Sequence, residues 1–487
     1  MAVIDVGSNS VRLVVFDGHA RSPAYFFNEK VLCGLGKGMT ETGRLNPEGR
    51  RRALATLRRF AALAERLKVN ALVAVATAAV RLAKDGAAFI AEVEHETGLR
   101  VRVASGTDEA RLAGQGVLLG DPQAAGVVAD IGGSSMELAR IRKGRVEAGA
   151  TTLLGPLALR SSGLSNAALN RHIGKSLATA WASVAEGFEN GATQLFLVGG
   201  AWRAMGRVHM QRTRYPLMVL HDYTIPPDAL LEVAHWVIQH GPADIVSATG
   251  ISSSRAELLG LNARVLIALI TALGPETVTL SSYGMREGLL WELMTPRARA
   301  RDPLLEACRY LETRRARFPG FGSALFAWLG SVLAIQDRRL ARLAEAACYL
   351  HDVNWRSHPD YRAQIGFETL TRAAIGGIDH RGRVFVGLAL HHRYRSSGTG
   401  KLPHALIDLL SPDERVLAER LGRAMRLGAM VSGSAPGGLD LAPLTRSEGQ
   451  LQLTLSSGMR DLAGEVVEKR LAALARSLGL SHSLIEV

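Results

Sequence analysis

One strand–turn–strand pattern occurs twice in this sequence, and the duplication limits what the chain can fold into. The first copy reads MAVIDVGSNSVRLVVF from residue 1, and the second reads GVVADIGGSSMELARI from residue 126. Four positions match at one constant spacing of 125 residues: Asp5 with Asp130, Gly7 with Gly132, Ser10 with Ser135, and Leu13 with Leu138. Each copy ends an apolar strand with an acid and follows it with small residues. We therefore expect a duplicated architecture with a ligand site in the cleft between the two copies.

Strand-like and helical segments alternate through the first 300 residues, which predicts a layered α/β fold. The strand-like runs at the start of the two copies are 2–6, 11–17 and about 24–32, then 126–130, 136–142 and 145–153. Asn46 followed by Pro47 predicts the start of a long helix. Beyond residue 300 the alternation stops, and nearly all of the remaining chain reads as helix. We therefore place domains at 1–122, 123–300 and 301–487.

Composition excludes several classes of protein. At 487 residues the chain is too long for a single core. Its three cysteines are scattered, which excludes a disulfide framework and a thiolate zinc site and suits a reducing compartment. The longest apolar run noted, 324–335, is too short to span a bilayer. Residues 1–5 are already strand-like, with no basic segment before them, so we expect a cytoplasmic protein with no signal peptide and no membrane partner.

The chain is strongly basic, with a formal net charge of +13 and a pI of about 10.1. An Arg-rich composition inherited from the organism explains this without any partner. A polyanionic partner, either nucleic acid or a chain of phosphates, is the other explanation. Aromatic residues make up only 5% and are not interleaved with basic ones, so nothing suggests base stacking. A polyanion without bases fits at least as well as RNA, and we expect no specific nucleic-acid partner.

The two turns contain the residue types that bind phosphate. Glycines let backbone N–H groups approach a bound anion closely, and serine hydroxyl groups add donors. The residues in these roles are Gly7, Ser8, Ser10, Gly132, Gly133, Ser134 and Ser135. Asp5 and Asp130 would hold Mg²⁺, a hard cation that prefers oxygen ligands. An ordinary hairpin with an Asx turn explains one such copy, but two copies at one spacing favour function.

Further charged residues lie near the turns. Arg12 and Glu137 occupy equivalent positions in the two outgoing strands, where a guanidinium and a carboxylate could divide phosphate and metal binding. A solvated strand face is the alternative for that pair. Asp108 and Glu109 lie in the first turn of a predicted helix, where acids also simply complement the helix dipole. Arg81 follows a buried strand, and its alternative is an ordinary surface arginine.

Seven segments, in order along the chain, together resemble the exopolyphosphatase / guanosine pentaphosphate phosphohydrolase (Ppx/GppA) family. They are AVIDVGSNSVRLVVF, GRLNPEG, VATAAVR, SGTDEARL, VVADIGGSSMEL, LVGGAWRAMG and SSYGMREGLL. The resemblance covers essentially the whole chain. It implies two α/β domains of the actin/Hsp70/sugar-kinase (ribonuclease H-like) type, followed by an all-α HD-like domain. In that superfamily the first and fifth segments are the phosphate turns.

The resemblance also implies roles for individual residues and a cofactor. Glu109 matches the catalytic glutamate that polarises the attacking water, and Arg81 matches the arginine that faces the terminal phosphate. Asp130 and Glu137 match the metal and phosphate-site acids, with Asp5 assisting. The positions that match the phosphate turns are Asn9, Ser10, Gly132, Gly133 and Ser134. The implied cofactor is Mg²⁺, with a monovalent cation as a further candidate.

The C-terminal third resembles the HD-like domain of the same family. His351-Asp352 and His391-His392 match two of its metal-ligand segments, but the other two expected segments offer no ligand. We therefore predict a degenerate metal site whose histidines serve packing and hydrogen bonding. Family analogy expects this domain to help form a homodimer. The same analogy assigns the guiding of a long polyanion to three cations of one loop: Arg393, Arg395 and Lys401.

Together these patterns predict Mg²⁺-dependent hydrolysis of the terminal phosphoanhydride bond of inorganic polyphosphate, which releases orthophosphate. Removal of the 5′-terminal phosphate of guanosine pentaphosphate (pppGpp) is an alternative that uses the same bond and cleft. A kinase or ATPase of the same superfamily would need a nucleotide pocket around 199–206. A non-catalytic sensor would keep the turns and lack the acids. The basic charge and the C-terminal domain favour polyphosphate.

Overall fold

The computed structural model describes residues 1–17, 21–188, 194–395 and 398–486. Contacts between Cα atoms divide the chain into two compact units, Met1–Arg301 and Asp302–Val487. The N-terminal unit holds both copies of the repeated pattern. It contains two mixed sheets with helices packed against them.

The first copy begins a five-stranded sheet. Its strands are β1 (Ala2–Val6), β2 (Ser10–Phe16), β3 (Tyr25–Leu32), β4 (Leu72–Ala76) and β5 (Val101–Val103). The helices of this half are α1 (Met39–Thr42), α2 (Pro47–Arg66), α3 (Ala78–Leu82), α4 (Gly86–Thr97) and α5 (Gly106–Gly120). The strand order is β3-β2-β1-β4-β5, in which β1 to β3 are antiparallel and β4 and β5 run parallel to β1. As predicted, Asn46 caps α2, accepting a hydrogen bond from the Gly49 N–H at 2.9 Å.

The second copy begins a six-stranded sheet. Its strands are β6 (Gly126–Ile131), β7 (Met136–Arg142), β8 (Arg145–Thr152), β9 (Gln194–Val198), β10 (Tyr223–Ile225) and β11 (Thr277–Ser281). Its helices are α6 (Pro156–Ser161), α7 (Asn166–Val184), α8 (Gly200–Arg212), α9 (Pro227–Gln239), α10 (Pro242–Thr249), α11 (Ser253–Leu273), α12 (Met285–Leu293) and α13 (Pro296–Arg299). The order β8-β7-β6-β9-β11 repeats that of the first sheet, and β10 adds an antiparallel edge strand. This repetition confirms the duplicated α/β fold.

The two hairpins are alike in their backbone hydrogen bonds. Gly7 donates to the Ser10 carbonyl at 2.9 Å, and Gly132 donates to the Ser135 carbonyl at the same distance. Across the strand pairs, Asp5 lies opposite Arg12 in the first hairpin, and Asp130 lies opposite Glu137 in the second. Because paired residues of antiparallel strands project from the same face of a sheet, each acid shares its face with the charged residue opposite.

Three clusters of buried apolar side chains hold the N-terminal unit together. One lies between the first sheet and the helices α2 and α4, which contribute Phe60 and Phe89. A second contains residues of both sheets, such as Val3 and Val128, together with α5 and α12. The third joins the second sheet to α7, α8, α9 and α11, with Trp202 fully buried within it. The helices α5 and α12 therefore connect the two halves of the unit.

Glycines allow α5 and α12 to approach closely. A β-carbon on Gly288 of α12 would lie 1.9 Å from the Leu112 carbonyl oxygen of α5. A β-carbon on Gly116 of α5 would lie 2.2 Å from the Gly284 carbonyl oxygen at the start of α12. Both separations are far shorter than any real contact, so the two backbones touch at positions that only glycine permits.

Helix α11 is the one described helix whose length and composition would allow it to cross a membrane, with a mean hydropathy of 1.7 over its most apolar window. Half of that window is buried inside the protein. Its buried side chains, among them Leu259, Leu266 and Leu273, belong to the core cluster of the second sheet.

The C-terminal unit is mainly helical. Its helices are α14 (Pro303–Arg315), α15 (Phe321–Leu333), α16 (Arg338–Leu350), α17 (Arg362–Thr371), α18 (His380–Tyr394), α19 (His404–Ile407), α20 (Pro412–Ser432) and α21 (Glu465–Leu478). It also contains a three-stranded sheet that sequence analysis does not predict: β12 (Leu444–Ser447), β13 (Gln450–Leu455) and β14 (Ser481–Glu486). The buried leucines of β13 do alternate with partly buried polar residues. That alternation over six residues is the period of a half-buried strand.

The histidines of the two predicted metal-ligand segments are buried. His351 hydrogen-bonds through Nδ1 to the Cys348 carbonyl at 2.8 Å, and Asp352 pairs with the Arg317 guanidinium through two contacts of 2.8 Å. His391 and His392 are neighbours on α18, each only 3% exposed. In the part of the chain that the structure describes, no three His, Cys, Asp or Glu side chains form a group suited to a metal ion.

The prediction of a loop that contains three cations is partly wrong. Arg393 belongs to the last turn of α18, and its side chain is buried. The helix continues to Tyr394, and no glycine or proline lies between Gly387 and Gly398. Arg395 and Lys401 are exposed, as the prediction requires, whereas residues 396 and 397 of the loop lie outside the described residues.

The contact between α5 and α12 leads to the first prediction. Gly288→Ala should force the two helices apart and lower the free energy of unfolding by at least about 1–3 kcal/mol, the usual cost of overpacking a core. Thermal unfolding followed by circular dichroism measures this loss. The matched control is Gly174→Ala on α7, where a β-carbon would meet nothing within 4 Å. Its stability should stay unchanged or rise by up to about 1 kcal/mol. An unchanged Tm for Gly288→Ala would contradict the close approach.

Candidate active site

The two repeated turns face each other across one cleft of about 880 Å³. A β-carbon on Gly133 of the second turn would lie 3.5 Å from the Ser8 β-carbon of the first, so the two turns lie close together. Asp5 and Asp130 both line this cleft. The structure therefore brings together the two acids that sequence analysis places at equivalent positions.

Most of the predicted phosphate-turn residues line the same cleft. They are Asn9, Ser10, Gly132 and Gly133, together with Arg12 of the outgoing strand. Ser134 is an exception, because it is buried and is not among the cleft-lining residues, whereas Ser135 is. The back of this turn packs on Gly155, whose β-carbon would lie 2.5 Å from the Ser135 nitrogen. Ser134 is not one of the non-glycine residues with a positive φ, so the serine at this position adds no strain of that kind.

Helix α5 presents two neighbouring acids in different ways. Ser105 caps the helix by accepting from the Asp108 N–H, and the Asp108 carboxylate accepts from the Ser105 N–H at 3.1 Å. Asp108 is therefore used in a capping box. Glu109, the next residue, is only 9% exposed and lines the cleft. The structure thus separates a capping acid from a cleft acid within a single helical turn.

Arg81 contacts Glu109 directly. Its Nη1 donates to Glu109 Oε1, and also to the Ala104 carbonyl at 2.7 Å. Sequence analysis expects Arg81 to face a terminal phosphate, but this side chain is not among the cleft-lining residues. Arg81 therefore fixes the position of the Glu109 carboxylate.

Glu137 lies beside the start of α5. It is 3% exposed and accepts a hydrogen bond from the Thr151 hydroxyl group at 3.0 Å. Thr151 is its cross-strand neighbour on β8, and a β-carbon on Gly106 would lie 2.3 Å from the Thr151 methyl group. Because the glycine allows α5 to begin against this strand, Glu109 and Glu137 come to the same end of the cleft.

Burial raises the pKa values of all four cleft acids. It raises the pKa of Glu109 to about 7, with the hydrogen bond from Arg81 opposing the rise. It raises the pKa of Asp130 to about 6, opposed by the positive charge of Arg203 and increased by Asp5. Burial likewise raises the pKa of Asp5. It raises the pKa of Glu137 well above its ordinary value, and the charges of Glu109 and Asp130 add to that rise.

Asp5, Asp130 and Glu137 are the carboxylates that could hold a cation. All three line the cleft, although no group of three acids or histidines in the described ranges is close enough to form a complete protein site. Mg²⁺ commonly binds through one or two carboxylates and completes its shell with water and phosphate oxygens. The donors present fit that mode of binding.

The cleft also has a basic wall that sequence analysis does not identify. Its members are Lys30, Arg203, Arg207, Arg255 and Arg286. Arg203 and Arg286 lie in the first turns of α8 and α12, within the segments LVGGAWRAMG and SSYGMREGLL. Both arginines follow a strand and a glycine. That position, just after the end of a strand, is the sequence signal that could have identified them as site residues.

Glu287, next to Arg286, stabilises this end of the cleft. It is fully buried and accepts from the Tyr25 hydroxyl group at 2.7 Å and from the Gly284 N–H at 2.8 Å. Both carboxylate oxygens are thereby used, one by a strand of the first sheet and one by the start of α12. Glu287 thus fixes the position of the helix turn that contains Arg286.

Comparison with known proteins agrees with this geometry. Residues 14–296 match the Ppx/GppA phosphatase family, and residues 304–485 match the exopolyphosphatase C-terminal domain. The fold is similar to that of an exopolyphosphatase from Cytophaga hutchinsonii, with 22% identity and a TM-score of 0.54. It is also similar to a Ppx/GppA family member from Aquifex aeolicus, with 21% identity and a TM-score of 0.52, and each similarity covers 60% of this chain and 96% of the other. The chain belongs to the Ppx/GppA phosphatase family.

Proposed function

We propose that this protein is an exopolyphosphatase that hydrolyses the terminal phosphoanhydride bond of inorganic polyphosphate. The observation that supports this most is the place of Glu109, a buried carboxylate at the same cleft as two phosphate turns and a basic wall. A general base next to a site for phosphate oxygens is the arrangement that hydrolysis of such a bond requires.

In this proposal Glu109 takes the proton of the attacking water. A base is most effective when its pKa lies near the working pH, and burial raises the pKa of Glu109 to about 7. Arg81 holds the carboxylate in one position through its hydrogen bond. Proton transfer to a positioned base contributes a factor of roughly 10²–10⁴ to the rate.

The remaining cleft groups bind and orient the phosphates. Backbone N–H groups of the glycine turns and the guanidinium of Arg12 would neutralise charge on the transferring phosphoryl group, where fixed donors are most effective. Bound Mg²⁺ would neutralise phosphate charge and orient the phosphate oxygens. The carboxylates proposed to hold it are Asp5, Asp130 and Glu137.

The composition of the cleft favours a substrate without bases. Six of its described lining residues are Lys or Arg, and none is Phe, Tyr or Trp. Recognition of a nucleotide base usually uses an aromatic stacking surface, whereas a phosphate chain needs only positive charge and donors. The similarity to a protein described as an exopolyphosphatase points in the same direction.

The role of Glu109 can be tested by replacing it with glutamine. Glu109→Gln should bind polyphosphate with nearly unchanged affinity but lose on the order of 10²–10⁴-fold in kcat, because the amide cannot accept the proton. Phosphate release and equilibrium binding measure the two effects. Asp108→Asn is the matched control, since Asp108 caps the helix, and it should keep kcat. Turnover near that of the wild type in Glu109→Gln would remove Glu109 from this role.

The choice of substrate is tested by direct competition. Long-chain polyphosphate and pppGpp, at matched concentrations and with Mg²⁺, should give mainly orthophosphate from polyphosphate. Removal of Mg²⁺ with EDTA should abolish release from both, because the phosphate charge is then uncompensated. A strong preference for pppGpp would reverse the assignment within the same family.

The raised pKa values predict a pH-dependent effect of the cation on stability. An acid whose pKa is raised by folding lowers stability as pH increases, because the unfolded chain releases its proton first. For Asp130 and Glu109, with pKa values of about 6 and 7, this loss develops between about pH 4 and pH 7. Mg²⁺ offsets it, so the increase in Tm over EDTA should be larger at pH 8 than at pH 5. Asp130→Asn should remove most of that increase, and an equal increase at both pH values would count against cation binding by these acids.

A further inference from the structure

Two arginines lie at the end of the cleft where α8 and α12 begin. Arg203 and Arg286 both line the cleft and belong to the first turns of these helices. Glu109 enters the cleft from α5, beside Glu137. The charges that act most strongly on Glu109 are those of Arg81, Asp130 and Asp5.

Asp130 lies between the two ends. A β-carbon on Gly199, just before α8, would lie 3.0 Å from Asp130 Oδ1. A β-carbon on Gly284, just before α12, would lie 3.9 Å from Oδ2. The starts of both helices therefore pack around this carboxylate. Arg203 is the cation with the largest electrostatic effect on Asp130, followed by Arg286.

Arg286 has an unused hydrogen-bond donor. Within the described residues, its buried Nη1 has no hydrogen-bond partner. The neighbouring Glu287 does not provide one, because its two oxygens accept from Tyr25 and Gly284. Leaving a buried charged donor without an acceptor is costly, and a donor of this kind at the wall of a cleft indicates a position for an anionic ligand.

Arg203 and Arg286 also act unfavourably on each other. Arg286 is close enough to Arg203 that its charge disfavours the charged form of Arg203. Both side chains nevertheless line the same cleft. Two guanidinium groups together match an anion with more than one charge, because each can donate two hydrogen bonds to phosphate oxygens. A phosphate that gains a second charge as its bridging bond breaks suits this position better than a carboxylate.

We propose that Arg203 and Arg286 bind the phosphate that leaves, which is the penultimate phosphate of the chain. This inference rests on the proposed function and adds the direction of the reaction. The water oxygen forms a bond to the terminal phosphorus from the Glu109 side, and Glu109 takes its proton. The bond between that phosphorus and the bridging oxygen breaks, and the electron pair stays on the bridging oxygen of the shortened chain. Attacking and leaving oxygens lie in line in such a reaction, so the proposal places Glu109 and the two arginines on opposite sides of the transferred phosphorus.

The two arginines act mainly on kcat in this arrangement. Negative charge grows on the bridging oxygen as its bond breaks, so a guanidinium contact there is stronger in the transition state than in the bound substrate. A cation that only holds the chain would contact both states equally and would change KM alone. The ratio of these two effects separates a leaving-group role from simple attraction of a polyanion.

The test compares Arg203→Met and Arg286→Met with the wild type on long-chain polyphosphate. We expect kcat to fall on the order of 10²-fold in each variant, with KM changed less than about fivefold. Guanidinium ion in the assay should restore part of the activity of the Met variants. Arg286→Lys should retain more activity than Arg286→Met because it keeps the charge. The control is Arg212→Met, at the far end of α8, where the guanidinium stacks on Trp236 at 4.4 Å and should leave kcat unchanged.

Three outcomes would overturn the proposal or its basis. A raised KM with kcat within threefold of the wild type would assign the arginines to chain binding and exclude the leaving-group role. A loss of kcat that guanidinium does not restore, together with a lowered Tm, would show a purely structural role. If the wild type releases phosphate from neither polyphosphate nor pppGpp, the proposed function itself fails. Activity on pppGpp alone would leave the arginine test valid with that substrate.

Discussion

The structure depends on the balance of charge in one partly buried cleft. Four carboxyl groups and six cationic side chains line it, and burial favours the neutral form of every acid. Without counter-charges, carboxylates this close could not all ionise near neutral pH. The cleft arginines and the contact with Arg81 reduce the cost of ionising these carboxylates. The proposed cation would reduce it further. Substrate phosphates bring negative charge into the same space, so binding and catalysis use the same electrostatic balance.

Backbone contact between helices places these charges. Helices α5 and α12 touch at Gly116 and Gly288, and they lie within the apolar cluster that both sheets share. One helix begins at the turn that contains Glu109 and the other at the turn that contains Arg286. Glu109 and Arg286 therefore belong to two helices in direct contact. A change in the angle at which α5 and α12 cross would move Glu109 relative to Arg286.

Sequence reasoning finds those parts of the site that local patterns encode. The constant spacing between the two turns reveals the duplicated fold, and the order of the acids in SGTDEARL selects Glu109 once the family resemblance is used. The spacing cannot reveal Arg203 and Arg286, because their approach to Asp130 depends on how two helices pack beyond the sheet. The same limit applies to Arg393, whose burial follows from packing of α18. Local chemistry is thus visible in the sequence, whereas convergence of distant elements is not.

The difference between the two copies explains how a duplicated hairpin can serve hydrolysis. In the first copy the residue opposite the acid is Arg12, and in the second it is Glu137. If both copies had arginine at this position, the cleft would bind phosphate but would have one carboxylate fewer for a cation. If both had glutamate, a further negative charge would enter a cleft whose carboxyl groups already resist ionisation. Under the proposed function, the first hairpin would serve the phosphate oxygens and the second the cation. The divergence of one strand position would then give a nearly symmetric fold the polarity that a directional reaction needs.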